Sequence, residues 1–431
     1  MRIVVQKFGG SSVADPAKMR RCAQRAAEAH RAGAGVVVVV SAMGDTTDDL
    51  LALAGRVCRE AGVPPAKREL DQLMATGEQV SIALMAMTLG TMGLEAVSLT
   101  GSQCGIRTEA AHTRARITDI DAGRLRRELA AGRVPVVAGF QGVTEEGEVT
   151  TLGRGGSDTT AVAVAAALGA EVCEVYTDVD GVYTADPRIV PGARLHERVS
   201  YDEMMEAASQ GAKVMHLRAV ELGKKAGVPI RVLHSQRPGT GTLICGERDA
   251  MLESRLISTV ALKTEIGRVT IVGLPNRPGV QREVFGPIAA AGLSVDDIIQ
   301  NEVHASPGAV PGDRCTIAFT VERQDLDEVC EVVRGSLARV ASRGPAPEVQ
   351  VDTALVKVSA VGVGMQSQAG VAATMFRALA EAGVRIQNIT TSEIKISCLI
   401  PEECGARAVR VVHEAFGLGQ DSAGARGAGA A

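Results

Sequence analysis

Residues 3–13 read Ile3-Val4-Val5-Gln6-Lys7-Phe8-Gly9-Gly10-Ser11-Ser12-Val13, an apolar run that ends in a lysine, two glycines and two serines. Asp15 and Pro16 follow. Asp is a good N-cap and Pro suits the first helical position, so a helix starts there. The intervening turn offers bare backbone N–H groups, hydroxyls and one ammonium beside a positive helix end, a combination that attracts phosphate. A Walker loop places its lysine after the glycines, next to the helix. Here Lys7 precedes Gly9 and Gly10 at the end of the strand, and the competing reading is a plain Gly-Gly turn with a surface lysine.

Working outward, apolar runs alternate with helical patterns up to about residue 245. Strands are expected over 3–6, 36–41, 96–99, 134–138, 173–177 and 230–233, and helices over 16–32, 75–89, 121–131, 159–168, 201–209 and 216–226. Such alternation builds a mostly parallel sheet with helices on both faces, and ligands sit beyond the carboxyl ends of its strands. Lys7, Ser41, Gln141 and the pair Thr177-Asp178 all fall at those ends.

At 431 residues the chain exceeds one ordinary core, and two or three domains are expected. A hydrophobic fraction of 46% with 22% charged residues describes a soluble globular protein. The run 36–40 is a buried strand rather than a membrane helix, no stretch suits a bilayer, and the N-terminus lacks a signal-peptide pattern. A net charge of −4 and an aromatic content of 2% leave neither an electrostatic footprint nor stacking platforms for nucleic acid. Nine scattered cysteines without a C-x-x-C pair, and seven dispersed histidines, argue against a metal site and for reduced thiols in the cytoplasm.

Beyond a charged, linker-like stretch at 247–253 lies an internal repeat. Gly279-Val280, Phe285, Ala291-Gly292 and Ile298 recur as Gly370-Val371, Phe376, Ala382-Gly383 and Ile389, every pair at the same offset (370 − 279 = 91, 389 − 298 = 91). A shared register at this many positions indicates duplication into two small α+β modules. A loop at 306–313 looks inserted, 342–347 is a break, and the Gly/Ala/Ser-rich tail at 419–431 is expected to be disordered.

The second chemical motif is Thr150-Thr151-Leu152-Gly153-Arg154-Gly155-Gly156-Ser157-Asp158-Thr159-Thr160, ahead of an Ala-rich helix. Its small residues let backbone approach a ligand closely, and Arg154 offers a planar fork for a carboxylate or phosphate. Asp158 reads either as an N-cap or as a partner for a lysine or metal ion near a transferring phosphate. The third motif, Tyr176-Thr177-Asp178-Val179-Asp180-Gly181-Val182-Tyr183-Thr184-Ala185-Asp186-Pro187-Arg188, has turn chemistry that suits a nucleotide or, equally, a solvated loop. Lys213 is a further cation, with a surface lysine as its plain alternative. Glu78 stands on an apolar, Met-rich helix, either on its outer face or facing a substrate ammonium, and Ser41 to Thr47 closes the five-valine strand with hydroxyls and a glycine.

Together, Lys7–Val13, Ser41–Thr47, Gly77-Glu78, Gly153–Asp158 and Thr177–Arg188 resemble the aspartate kinase family of the amino acid kinase superfamily, which also carries tandem ACT modules. Thr390-Thr391-Ser392-Glu393-Ile394-Lys395-Ile396-Ser397 is similar to its second-module strand. The resemblance implies an α/β amino acid kinase domain (1–245) with a mostly parallel sheet sandwiched by helices. Two ferredoxin-like α+β ACT domains (267–345 and 346–418) would follow, with 246–266 serving as linker and first strand of the second. It implies transfer of the γ-phosphate of ATP, with Mg2+ held mainly through the phosphates, to the β-carboxylate of L-aspartate. Lys7 and Asp158 would be catalytic, with Gly9, Gly10 and Ser11 cradling phosphate. Ser41, Thr47, Glu78, Gly153, Arg154 and Gly155 would bind aspartate, and Thr177, Asp178, Tyr183, Arg188 and Lys213 the nucleotide.

For the ACT half, the resemblance implies lysine or threonine as effectors, with Asn276, Gly279, Val280, Asp296, Gln300 and Asn301 as candidate contacts, and a homo-oligomer. Asn276 stands where many relatives carry an acid, and the second copy, Gln366-Ser367-Gln368-Ala369-Gly370, lacks the usual proline; each departure would weaken feedback. Met251 is placed to start a short ACT-only subunit. The competing functions are a kinase for another acid, such as glutamate or acetylglutamate, and a catalytically silent amino-acid sensor.

Overall fold

The computed structural model describes residues 1–59, 62–212, 214–246, 257–302, 314–340, 346–363 and 370–419. Two compact units emerge, one built from Met1–Thr184 and the chain from Gly192, the other from Leu256 onward together with Ala185–Pro191.

The first unit contains, in order, β1 (Ile3–Phe8), α1 (Pro16–Arg31), β2 (Gly35–Val40), α2 (Thr46–Arg59), α3 (Lys67–Gly90), β3 (Ala96–Leu99), β4 (Ile106–Thr108), β5 (Ile117–Ile120), α4 (Gly123–Ala130), β6 (Val134–Ala138), β7 (Gln141–Val143) and β8 (Val149–Thr151). It continues with α5 (Gly156–Leu168), β9 (Val172–Thr177), β10 (Arg198–Ser200), α6 (Tyr201–Ser209), α7 (Leu217–Ala226), β11 (Ile230–His234) and β12 (Thr242–Cys245). Eight strands form one sheet in the order β10-β12-β11-β9-β1-β2-β6-β3. All neighbours are parallel except β11 and β12.

β2 is buried along its whole length, as β-branched residues in a central parallel strand should be. Alternate side chains feed opposite cores. Val37 and Val39 pack with α5 and α7, whereas Val36, Val38 and Val40 pack with α1 and α3. β1 lies between β2 and β9, so Lys7 is at the centre of the sheet, opposite Val39 and Val175. Asp15 caps α1 by accepting from the Lys18 N–H at 2.8 Å, with Pro16 at the first helical position.

Several elements differ from expectation. A second sheet, β5-β4-β7-β8, uses strands of three or four residues, too short for alternation to register. α2 buries none of its residues, so it shows no core-facing stripe. α3 begins at Lys67 rather than 75, because its opening residues Lys67, Arg68 and Glu69 are charged and exposed.

The second unit holds β13 (Thr259–Lys263), β14 (Ile266–Pro275), α8 (Val280–Ala290), β15 (Asp296–Glu302), β16 (Arg314–Glu322) and α9 (Leu326–Val340). After these come β17 (Glu348–Asp352), β18 (Leu355–Val361), α10 (Val371–Glu381), β19 (Asn388–Thr391), β20 (Lys395–Pro401) and α11 (Gly405–Ala415). Two four-stranded sheets result, β15-β16-β14-β17 and β13-β18-β20-β19. β13 precedes the first module in sequence yet completes the second sheet, while β17 completes the first. The repeated Gly279 and Gly370 cap α8 and α10 at φ 93° and 103°, a left-handed conformation that favours glycine.

No described helix is long and apolar enough to cross a membrane. Among the described residues the nine cysteines form no disulfide, and eight of them are buried.

Candidate active site

Lys7 is 8% exposed, and its Nζ lies 2.5 Å from Oδ1 of Asp158 on α5. Asp158 is not the N-cap. The helix begins at Gly156 with Gly155 as cap, which puts Asp158 in the first turn, where a carboxylate is favoured by the helix dipole. Of the two glycines after Lys7, Gly10 is required by packing. A Cβ on Gly10 would stand 2.7 Å from the Ala42 carbonyl and 3.0 Å from that of Gly44, and one on Gly9 would meet the Lys7 ammonium at 3.4 Å. The Gly44 N–H donates to the Gly10 carbonyl at 3.0 Å, so the turn is closed against the loop that carries Ser41. Ser11 is exposed beside it.

Glu78 comes to the same place from α3. It is 2% exposed, its Oε1 accepts the Ala42 N–H at 3.0 Å, and its Oε2 is buried without a hydrogen-bond partner among the described residues. Burial pushes its carboxyl up to about 7, only partly offset by the Ala42 N–H. Gly77 permits this approach, since a Cβ there would stand 2.8 Å from that of Ala42. Thr47 sits half-buried at the start of α2, after the Thr46 hydroxyl has bonded the Met43 carbonyl at 2.6 Å.

Gly153 and Gly155 adopt φ 76° and 71°, and between them Arg154 is exposed with no ion pair among the described residues. A Cβ on Gly155 would overlap the ring of His216, the N-cap residue of α7. The His216 Nδ1 is buried without a hydrogen-bond partner among the described residues, and burial holds its pKa below the ordinary histidine value despite the charge of Asp158. The sequence reading missed His216, because a lone histidine ahead of a helix carries no spacing signal.

The nucleotide candidates are only partly gathered. Thr177 ends β9, and its hydroxyl donates to Asp178, the next residue, at 3.1 Å. The Tyr183 hydroxyl donates to Asp180 at 3.0 Å, and Arg237 pairs with the same carboxylate at 3.2 Å. Arg188 forks onto Asp186 at 2.7 Å in the segment that groups with the second unit, so it is not among the residues assembled in the first. Lys213 lies outside the described residues, as do Met251, the loop 306–313, the second-copy loop 366–369, the whole linker stretch 247–253 and the tail from 420.

Residues 2–234 match the amino acid kinase family model, and residues 268–335 and 358–416 each match an ACT domain model. An aspartate kinase of Stutzerimonas stutzeri is 48% identical over 419 residues, 97% of this chain and 98% of that protein. The chain belongs to the aspartate kinase family. An aspartokinase of Geobacillus stearothermophilus is 47% identical over 99% of the chain and 100% of its own length. Among solved structures, E. coli aspartokinase III in complex with aspartate and ADP superimposes with a TM-score of 0.80 at 26% identity, covering 96% of this chain and 99% of that one. The same enzyme in complex with lysine and aspartate gives 0.72 at 27% identity, with the same coverage.

Within the ACT half of this aspartate kinase family member, the candidate effector contacts divide. Asn276 donates to Glu302 at 3.4 Å, and Gln281 donates to Gln300 at 2.8 Å. Gly279 caps α8, Val280 is buried beneath it, and Asn301 is exposed. Asp296 is engaged elsewhere, since its carboxylate and that of Asp297 accept the Lys357 ammonium at 2.9 and 2.7 Å. Neighbours on a regular strand face opposite ways. A bulge between Asp296 and Ile299, with Asp297 at φ 47°, accompanies their convergence on one ammonium.

Proposed function

We propose that this chain transfers the γ-phosphoryl group of ATP to the β-carboxylate of L-aspartate, giving β-aspartyl phosphate and ADP, with amino-acid control through its ACT modules. The single observation that carries the reading is a half-satisfied charge constellation. Lys7 is paired to Asp158, and Glu78 presents one bonded and one unpartnered buried oxygen against the same loop. The side-chain carboxylate of aspartate, with a reference pKa of about 3.9, is already an ionised nucleophile, so no general base is needed. One of its oxygens forms a bond to the γ-phosphorus as the bond to the β,γ-bridging oxygen breaks, and ADP leaves with that electron pair.

The work left to the protein is positioning and compensation of charge. Lys7 would meet the transferring phosphoryl oxygens, oriented by Asp158, with Gly9, Gly10 and Ser11 around them. The phosphates would hold most of the Mg2+ that neutralises their charge, and the Asp158 carboxylate beside Lys7 would orient that assembly. Glu78 would take the substrate ammonium, Arg154 its α-carboxylate, and Ser41 and Thr47 the pocket wall. Thr177, Asp178 and Tyr183 would border the nucleotide.

Lysine, bound by a structural neighbour, is the effector we infer for the ACT half, where Glu302 beside Asn276 supplies the acid that position 276 lacks. An oligomer formed through these modules, a short product begun at Met251 and a reducing, cytoplasmic setting complete the proposal. Incubation of the full chain with ATP, Mg2+, hydroxylamine and one acid at a time tests it. β-Aspartyl hydroxamate from L-aspartate is expected. Turnover of glutamate or acetylglutamate in preference to aspartate, or of no acid at all, overturns it.

A further inference from the structure

Asp71 lies on α3 seven residues before Glu78, two turns away on the same face of the helix. It is fully buried, yet it is no ordinary core residue, because every donor it accepts comes from segments bordering the Gly153-Arg154 loop. The Thr151 hydroxyl donates to its Oδ1 at 2.5 Å, the Thr113 N–H reaches both oxygens at 3.1 and 3.0 Å, and His112 Nδ1 meets Oδ2 at 2.8 Å. Thr113 adopts φ 69°, a conformation that costs energy for a β-branched residue and is held here by that carboxylate.

These two segments form the frame of the loop. The Ala115 N–H donates to the Thr151 carbonyl at 3.0 Å, and a Cβ on Gly153 would stand 3.0 Å from the Thr113 carbonyl. Arg218 of α7 closes the far side, donating to the Leu152 carbonyl at 2.5 Å and the Ala115 carbonyl at 3.1 Å. A third tie joins Gln141 Nε2 to the Ala75 carbonyl of α3 at 2.9 Å.

We propose that Asp71 is a positioning residue for amino-acid recognition. By fixing Thr113 and Thr151 to α3, it sets the Arg154 loop in register with Glu78 on the same helix, so that one rigid element fixes the spacing between the groups that read the α-carboxylate and the α-ammonium. This rests on the reading that Arg154 and Glu78 contact those groups. A buried acid with no substrate contact acts here through geometry, where small displacements are costly.

The test uses the full chain and two substitutions, Asp71→Asn and Thr151→Val, the second removing one hydroxyl while keeping volume. KM for L-aspartate is expected to rise about tenfold or more in Asp71→Asn and severalfold in Thr151→Val, with KM for ATP within about twofold. Thr151→Ser should restore the wild-type value. Unchanged KM for aspartate in Thr151→Val, or parallel rises in both KM values with a lowered melting temperature, overturns the proposal. Should Asp71→Asn fail to fold, Thr151→Val and its Thr151→Ser rescue decide alone. Arg154→Ala, measured alongside, separates the premises, because an unchanged KM for aspartate there would sink the substrate reading of Arg154 whatever Asp71 does.

Discussion

Two lysines of this chain are buried against aspartates, and they are built for different ends. Lys7 faces one carboxylate, with side-chain exposures of 10% for the lysine and 15% for Asp158, at the carboxyl edge of a parallel sheet. Lys357 is 1% exposed and faces two carboxylates, Asp296 from a half-exposed position and Asp297 from a buried one. Burial opposes charge on Lys357, but the two aspartates more than reverse this and hold its pKa above the ordinary lysine value. Near the first pair, Glu78 Oε2 and His216 Nδ1 are buried without a hydrogen-bond partner among the described residues, whereas no buried side-chain atom of Lys357, Asp296 or Asp297 is left so. On the proposed function, a lysine that would trade its partner for a phosphoryl oxygen is left room and a single rival. A lysine that joins two modules is closed in on all sides.

The comparison breaks most visibly at Lys7. Lys7→Ala is expected to lower turnover by about a hundredfold to a thousandfold, the range for loss of one preorganised donor, with a smaller loss of stability than Lys357→Ala because Asp158 keeps 15% of its side chain exposed. Lys357→Ala should do the reverse, destabilising the C-terminal unit by about 3–5 kcal/mol in urea unfolding, because it leaves Asp297 buried without its cation. Replacing both members (Lys357→Met with Asp297→Leu) should recover most of that loss, as apolar substitutes for a buried pair often do.

Glu78 sharpens the picture through pH. Its folded pKa of about 7 lies above its ordinary 4.5, so its contribution to stability is full below about 4.5 and is lost as pH rises through about 7. Only the ionised form pairs with an ammonium, and KM for aspartate should therefore climb as pH falls below about 7. Glu78→Gln should raise KM and flatten both profiles. The smallest effect is expected for Asp296→Ala, below about 1 kcal/mol, since that side chain is half exposed.

The sequence carried the sheet and the chemistry of single residues further than it carried their mutual support. Five consecutive valines and the Gly-Gly turn after Lys7 announce a central parallel strand and a tight turn at its neighbour's end by local pattern alone. The offset of 91 announces the duplication in the same way. What escaped depends on contacts distant in sequence. Asp71 meets Thr151 eighty residues away, His216 meets Gly155, and β13 and β17 exchange partners between modules. Asp158 shows the intermediate case, in which residue type was legible but helix register was not, because two left-handed glycines start α5 earlier than the apolar run implies.

Most direct is a paired measurement on Lys7→Ala and Lys357→Ala, with hydroxamate-trapped turnover and thermal unfolding recorded on the same preparations. The expected result is a double dissociation: Lys7→Ala loses at least about a hundredfold in turnover and stays folded, whereas Lys357→Ala melts early and, below its melting point, turns over near the wild-type rate. Near-normal hydroxamate formation by Lys7→Ala would contradict the assignment of its ammonium to the transferring phosphoryl group.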